Sequence, residues 1–154
     1  MIYTFEIMTQ EQAEEIAFKW HYDGEYSFYD MEADREDLEE FIDRKSRGNS
    51  VYSVMINKEL IGFYSFHKVN EVTYEIGLGM RPDLTGKGEG LNFLKSGLEF
   101  AKSKLKPEKL TLSVANFNER AIKVYQKVGF KKTNIFMQPT NGSTFEFVKM
   151  EYEC

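Results

Sequence analysis

The chain has 154 residues, a length typical of one domain, and its 20 Lys and Arg residues against 25 Asp and Glu residues give a net charge of −5. This acidic balance argues against broad electrostatic binding to nucleic acid, whose phosphates attract Lys and Arg, and the single cysteine, Cys154, excludes an internal disulfide framework. Apolar runs of only a few residues predict no membrane span, and the absence of a signal-peptide pattern favours a cytoplasmic protein with a single domain over residues 1–154.

The pattern of apolar residues predicts strands and helices in an order typical of an α+β protein. Alternation at every second position indicates strands, and apolar residues three and four apart indicate helices. In chain order we predict a strand over Ile2–Ile7, helices over 9–20 and 34–48, strands over Val51–Ile56, Leu60–His67 and Val72–Met80, a helix over Glu89–Lys104, a strand over Lys109–Val114, a helix over Glu119–Lys127, and strands over Phe130–Phe136 and Phe145–Glu151. These elements predict a mixed sheet of about seven strands with about four helices on its faces. We expect a monomer or a homodimer, because the last strand, taken as an edge strand, can pair with a second chain.

The most informative segment is a glycine-rich loop between a predicted strand and a predicted amphipathic helix. Gly86, Gly88 and Gly90 occupy alternate positions, and glycine lets the backbone approach a ligand closely. The first N–H groups of the following helix lack partners within the helix and attract negative charge. The pattern therefore indicates a phosphate site, most naturally for a pyrophosphate, although a turn that only starts a helix would also contain glycines. A P-loop is a weaker alternative because no Ser or Thr follows Lys87, and a dinucleotide fingerprint is weaker because the glycine spacing differs and the loop lies in the middle of the chain.

Two segments of the chain resemble the GNAT superfamily of N-acetyltransferases. Pro82–Leu94, PDLTGKGEGLNFL, resembles the acyl-coenzyme A pyrophosphate loop of that family, whose Arg/Gln-x-x-Gly-x-Gly/Ala pattern falls on Thr85, Gly88 and Gly90. Thr85 departs from the pattern, because its short hydroxyl replaces a long polar side chain. The second segment, Leu112–Phe130, resembles the family's Asn-x-x-Ala-x-x-x-Tyr-x-x-x-Gly-Phe pattern. Its matching residues are Asn118, Ala121, Tyr125, Gly129 and Phe130.

The resemblance implies both a fold and a reaction. The implied fold is the GNAT fold, a mixed, mostly antiparallel sheet splayed at a central parallel pair. The implied reaction moves an acetyl group from acetyl-coenzyme A to a primary amine by direct attack in a ternary complex, with no metal. The residues expected to bind the cofactor are Leu78, Met80, Thr85, Gly86, Lys87, Gly88, Gly90, Leu91 and Asn118. Leu78 and Met80 would act through backbone groups near a bulge, and Asn118 would contact the pantetheine arm, cap the following helix, or do both.

Two residues are candidates for proton transfer. Tyr125 matches the tyrosine to which the family gives the role of general acid, although a core aromatic would also fit its apolar helix face. Glu75 is the candidate general base, since some family members use a glutamate on this strand, and we expect burial beside aromatic rings to suit it to neutral pH. The alternatives are a solvent-facing Glu75 with a water relay from Ser113, or deprotonation of the amine in solution.

The two parts of the chain carry opposite charge. Residues 1–50 have a net charge of −9, and residues 51–154 have a net charge of +4. The positive part contains the glycine loop and four cations suited to an anionic cofactor: Lys87, Arg120, Lys123 and Lys127. The negative part contains the segment between the first two helices, residues 20–30, which the resemblance places beside the acceptor and which we call the acceptor segment.

Carboxylates and aromatic rings in the acceptor segment favour a cation. The residues expected to bind the acceptor are Glu25, Tyr26, Tyr29 and Asp30. The alternative is that they only anchor the loop. We therefore predict a cationic small-molecule or peptide amine as the acceptor. A non-catalytic acyl-coenzyme A binding or sensing module is the alternative function.

Overall fold

The structure, a computed structural model, describes residues 3–154. Its strands are β1 (Thr4–Ile7), β2 (Val51–Ile56), β3 (Glu59–Lys68), β4 (Thr73–Met80), β5 (Lys109–Ala115), β6 (Lys131–Thr140) and β7 (Ser143–Glu153). Its helices are α1 (Gln10–Lys19), α2 (Arg35–Ile42), α3 (Arg44–Arg47), α4 (Gly90–Leu105) and α5 (Glu119–Val128), and 3-10 turns cover Gly24–Tyr29, Met31–Ala33 and Pro82–Leu84. Ile2, where the first strand was predicted to begin, lies outside the described residues. None of the described helices is long and apolar enough to cross a membrane.

The strands of the described chain form one mixed sheet in the order β1-β2-β3-β4-β5-β7-β6. The neighbours β1 and β2, β2 and β3, and β5 and β7 are antiparallel, whereas β4 and β5 are parallel. The parallel register places Thr73 opposite Lys109 and Glu75 opposite Thr111. The predicted α+β class with a central parallel pair is confirmed.

The elements differ from the prediction in two places. The second predicted helix is split, because Asp43, with an extended ψ of 114°, ends α2 and is followed by the single turn α3. The prediction that Phe145–Glu151 forms an edge strand is wrong, because β7 lies between β5 and β6, and β6 is the edge. The start of β6 carries Lys131 and Lys132, and Pro139 lies near its end. Lysines and proline are typical of edge strands that avoid pairing with other chains.

The residues group into two compact units. The first unit contains the residues up to Ser65 together with Leu78–Thr85 and Thr140–Ser143. The core of this unit is built from Met8, Ala13, Ile16, Trp20, Val51, Leu60 and Phe63. The predicted capping box starts α1, because the Thr9 hydroxyl accepts from the N–H of Gln12 (3.1 Å) and the Gln12 side chain accepts from the N–H of Thr9 (3.0 Å). The acceptor segment therefore follows a helix whose position is fixed by its cap and its core.

The second unit contains Phe66–Gly77, Gly86–Pro139 and Thr144–Cys154. Apolar side chains of α4, α5, β5 and β7 form its core: Phe93, Leu94, Leu98, Ala101, Leu110, Leu112, Ile122, Val148 and Met150. Each large apolar side chain that is fully buried contributes about 1.5–3 kcal/mol to folding. This packing fixes the starts of α4 and α5, where the glycine loop and Asn118 lie.

Candidate active site

The glycine loop of the second unit leads directly into α4. Gly86 and Gly88 have φ angles of +72° and +82°, in the left-handed region where side chains are strained. Gly90, the first residue of α4, has no such backbone requirement. A Cβ atom added to Gly90 would lie 4.0 Å from its nearest neighbour, Cγ2 of Val124. The backbone angles therefore require glycine at Gly86 and Gly88. They do not require it at Gly90, where the missing side chain leaves open space next to the helix N-terminus.

The N-terminus of α4 offers N–H groups to an anion, although its N-cap residue is itself acidic. Its N-cap residue, Glu89, makes no capping hydrogen bond in the described chain, and its first turn contains no acidic residue. The first N–H groups therefore carry partial positive charge that suits an anion. The guanidinium of Arg120 adds a full charge, because its Nη1 lies 3.0 Å from the place that a Cβ of Gly86 would take. Lys87 is exposed in the same loop, so the loop presents the chemistry of a phosphate site.

Thr85 precedes this loop and belongs to the first unit. Its hydroxyl donates to the carbonyl oxygen of Pro82 over 2.8 Å and closes the 3-10 turn Pro82–Leu84. Arg81 anchors the same turn, since it donates to the carboxylate of Asp83 (2.6 and 3.1 Å) and to that of Glu59 (2.6 Å). The short hydroxyl that departs from the family pattern thus has a structural role in the turn.

Helix α5 carries the second motif. Asn118 is its N-cap, as predicted, and its Oδ1 accepts from the N–H of Ala121 over 3.2 Å; its contact with pantetheine stays a prediction. Tyr125 is half-buried, and its ring packs edge-on against that of Phe130 with the centroids 5.9 Å apart. The helix ends at Gly129, whose φ is +117°. The Tyr125 ring is therefore packed against a neighbour and only partly buried. Its role as the general acid stays a prediction.

Glu75 occupies an open position on the sheet. It is exposed, so the expectation that it is buried beside aromatic rings is wrong. The reason is the strand alternation: its neighbour Ile76 fills the core, with 4% exposure, and Glu75 lies on the opposite face. That face forms a cavity of about 410 Å³ lined by Val69, Asn70, Thr73, Glu75, Lys109, Thr111, Lys149 and Glu151. Among residues 3–154 the Glu75 carboxylate has no hydrogen bond or ion pair, whereas Glu151 pairs with Lys109 at 3.1 Å.

The end of β4, in the first unit, holds the backbone groups proposed for the cofactor. A Cβ atom added to Gly79 would lie 2.3 Å from Cε1 of Phe63, so this position admits only glycine without movement of a core ring. The carbonyl oxygen of Met80 accepts from the hydroxyl of Tyr22 over 2.7 Å. Desolvation raises the pKa of the Tyr22 phenol above its ordinary value, which keeps it a hydrogen-bond donor. Because this carbonyl is engaged, the Met80 N–H is the group of this residue that suits a ligand.

The acceptor segment of the first unit is organised by Asp30. One carboxylate oxygen of Asp30 accepts from the N–H of Tyr22 (2.8 Å), and the other lies 3.3 Å from Nδ1 of His21. The hydrogen bond to Asp30 is the main reason that the pKa of His21 is raised. Glu25 is exposed, whereas Tyr26 and Tyr29 are half-buried. Asp30 therefore holds the acceptor segment together, and contact of the four predicted residues with an acceptor stays a prediction.

The turn between β6 and β7 also fixes the acceptor segment. The Asn141 side chain donates to the carbonyl oxygen of Phe28 over 2.8 Å, and the Thr140 hydroxyl donates to Asp34 over 2.9 Å. Sequence reasoning identified Asn141 only as part of a turn and did not identify Tyr22 as a site residue. No local pattern could have revealed these contacts, since each joins residues far apart in the chain.

A comparison with protein-family models identifies the family of the chain. A family model described as an acetyltransferase (GNAT) domain matches residues 4–131. A comparison with curated proteins finds no match.

Solved structures share the fold at low sequence identity. A GNAT-family acetyltransferase from Bacillus anthracis is 19% identical, with a TM-score of 0.75 over 98% of this chain and 94% of the other. A spermidine N-acetyltransferase from Vibrio cholerae, in complex with CoA and spermine, is also 19% identical, with a TM-score of 0.75 over 98% and 95% of the two chains. The Campylobacter jejuni N-acetyltransferase PseH is 20% identical, with a TM-score of 0.67 over 98% and 97%. These structures share the fold, and the family model, which covers most of the chain, shows that the protein is an acyltransferase that belongs to the GNAT acetyltransferase family.

Proposed function

We propose that the protein transfers an acetyl group from acetyl-coenzyme A to a cationic primary amine by direct attack in a ternary complex. The observation that carries this proposal is the start of α4, where the left-handed glycines Gly86 and Gly88 and the guanidinium of Arg120 adjoin a helix N-terminus without a side-chain cap. An anionic pyrophosphate suits this arrangement. Cytoplasmic location and a monomeric or homodimeric state stay predictions.

The proposed donor contacts come from the glycine loop, the start of α5 and the end of β4. In the second unit, backbone groups of Gly86, Lys87, Gly88, Gly90 and Leu91 bind the phosphates, and Asn118 contacts the pantetheine arm. In the first unit, Leu78 and Met80 contribute backbone groups, and Thr85 supports the turn that precedes the loop. Acetyl-coenzyme A supplies the thioester that is attacked.

The chemistry requires one bond to form and one to break. The neutral amine nitrogen attacks the thioester carbon, the C–S bond breaks, and the thiolate takes a proton from the Tyr125 hydroxyl. Holding the two reactants together provides most of the rate, and an N–H aimed at the developing oxyanion contributes about 3 kcal/mol. The ammonium form of the acceptor first loses one proton, either to the exposed Glu75 through water or to solvent, and becomes the neutral amine that attacks. As the amide forms, its nitrogen releases a second proton to water, and solvent returns a proton to the Tyr125 phenolate.

The acceptor is proposed to be a polyamine or another cationic amine. The acceptor segment supplies the exposed carboxylate of Glu25 and the rings of Tyr26 and Tyr29, which favour an ammonium group. One structural neighbour is a spermidine N-acetyltransferase that is bound to CoA and spermine. Spermidine and spermine are therefore the first acceptors to test.

The test is a free-thiol release assay with acetyl-coenzyme A over polyamines, aminoglycosides and N-terminal peptides. We expect turnover with cationic amines and a loss of about 10²–10⁴-fold in kcat for Tyr125→Phe, with unchanged stabilisation by acetyl-coenzyme A. The matched control is Tyr74→Phe, which removes a phenol hydroxyl from β4. Stabilisation without turnover across the panel would favour the alternative, a non-catalytic acyl-coenzyme A binding module. Lack of stabilisation at saturating acetyl-coenzyme A would refute both functions.

A further inference from the structure

Tyr22 connects two elements of the first unit that the proposed function uses separately. Its backbone belongs to the acceptor segment, and its side chain reaches the end of β4, where the hydroxyl donates to the Met80 carbonyl oxygen over 2.7 Å. The two residues are 58 positions apart in the chain.

The Met80–Arg81 peptide group is held from both sides. Its carbonyl oxygen accepts from Tyr22, and its N–H, that of Arg81, donates to the carbonyl oxygen of Ile61 over 2.8 Å. The preceding residue, Gly79, lies directly against the ring of Phe63, so the chain cannot shift toward the core there. These contacts constrain the chain on both sides of the neighbouring Met80 N–H, which belongs to the Gly79–Met80 peptide, and the contact from Tyr22 comes from the acceptor segment.

The other end of Tyr22 is fixed to the acceptor segment. Its N–H donates to one carboxylate oxygen of Asp30 over 2.8 Å, and the second oxygen lies 3.3 Å from Nδ1 of His21. A displacement of the acceptor segment therefore moves Tyr22, and with it the hydroxyl that holds the Met80 carbonyl.

We propose that Tyr22 is a positioning residue that couples the acceptor segment to the Met80 peptide, so that the Met80 N–H is directed at the thioester carbonyl when the acceptor is bound. This inference rests on the proposed function. It assigns to Tyr22 a role in turnover that does not involve contact with either substrate. It also predicts that the acceptor and donor sites influence each other through one hydrogen bond.

The test removes only the hydroxyl, in Tyr22→Phe. We expect kcat to fall by roughly three- to tenfold, the effect of one hydrogen bond, while the KM for acetyl-coenzyme A changes by less than about twofold. The matched control is Ser50→Ala, which deletes another hydroxyl-to-carbonyl bond of the first unit, from Ser50 to Arg47 over 2.8 Å. The control should keep the wild-type kcat per folded molecule. A fall in kcat that Ser50→Ala reproduces, or an unchanged kcat in Tyr22→Phe, would overturn the inference.

A second measurement separates this inference from the proposed function. In wild-type protein, acetyl-coenzyme A should move the backbone amide resonance of Met80 in ¹⁵N–¹H spectra, and Tyr22→Phe should reduce that shift by at least about half. If acetyl-coenzyme A binds and moves this resonance equally in both proteins, Tyr22 does not position the peptide. If the wild type neither binds acetyl-coenzyme A nor releases thiol, the proposed function itself fails.

Discussion

The substitution Gly90→Ala separates the requirements of the fold from those of a ligand. Gly90 lies in α4 with an ordinary φ, and an added Cβ meets no atom closer than Cγ2 of Val124, at 4.0 Å. The fold therefore accepts a methyl group at this position. If the glycine is needed, the reason lies in a molecule that approaches the backbone at the helix N-terminus.

Gly90→Ala should increase the stability of the protein and decrease its affinity for acetyl-coenzyme A. Alanine is more favourable than glycine within a helix by about 0.5–1 kcal/mol, so Gly90→Ala should raise the free energy of unfolding by up to that amount. A hydrogen bond to a charged phosphate contributes about 1.5–3 kcal/mol, and a methyl group that keeps a phosphate oxygen from one N–H should forfeit it. The affinity for acetyl-coenzyme A should then fall by about 10- to 100-fold.

Urea denaturation measures the first quantity, and isothermal titration calorimetry with acetyl-coenzyme A measures the second. The control is Ser103→Ala, an exposed position in the last turn of α4. It should raise helix propensity without changing acetyl-coenzyme A binding. If Gly90→Ala bound acetyl-coenzyme A as tightly as the wild type, the phosphate site would not be at this N-terminus. A variant that lost stability as well would show that the open space at Gly90 is needed by the fold.

Three further substitutions test the packing at Gly79 and the charges at Asp37 and Arg120. Gly79→Ala places a Cβ 2.3 Å from Cε1 of Phe63, so urea denaturation should show a loss of about 1–3 kcal/mol that Phe63→Leu partly restores; an unchanged midpoint would contradict the packing argument. Desolvation and the neighbouring Asp34 raise the pKa of Asp37 from 3.8 to about 6, so the folded state binds this proton more tightly and stability falls as pH rises through that interval. Asp37→Asn should flatten this slope and, because water screens the site, add less than about 1 kcal/mol near neutral pH; an unchanged slope in denaturation series from pH 4 to pH 7 would refute the assignment. Arg120→Ala should weaken acetyl-coenzyme A binding by roughly three- to tenfold, with a smaller loss in about 0.5 M salt, and equal affinity in calorimetry would exclude Arg120 from the phosphate site.

The glycine loop and the α5 motif could be predicted from the sequence because their signals are local. Gly86 and Gly88 adopt backbone angles that other residues avoid, so their spacing reports the shape of the loop directly. Asn118 caps the helix that its own sequence begins, and the Asn118–Ala121 hydrogen bond spans only three residues. Local geometry of this kind is encoded in neighbouring residues.

The environment of the site residues could not be predicted, because it depends on residues distant in the chain. The alternation of Tyr74, Glu75 and Ile76 predicts that Glu75 and Ile76 face opposite sides, but only the packed sheet shows that Ile76 is covered and Glu75 is open. The same limit applies to Asp30, whose partners His21 and Tyr22 belong to its own segment but face it only because that segment folds back. The position of β7 inside the sheet likewise depends on strand pairing that no local pattern reports.

The two compact units carry opposite charge, and this separation of charge supports the roles proposed for the glycine loop and the acceptor segment. The first unit has a net charge of −9 and the second of +4. Desolvation and, next, the neighbouring Asp34 raise the pKa of Asp37, so part of the cost of ionising this carboxyl is repulsion between acids. Coenzyme A is anionic and the proposed acceptor is cationic, so the glycine loop lies in the unit whose charge attracts an anion and the acceptor segment in the unit whose charge attracts a cation. A chain that only needed solubility could mix the two signs and avoid this repulsion, so the separation of charge favours an enzyme that binds two ligands of opposite charge.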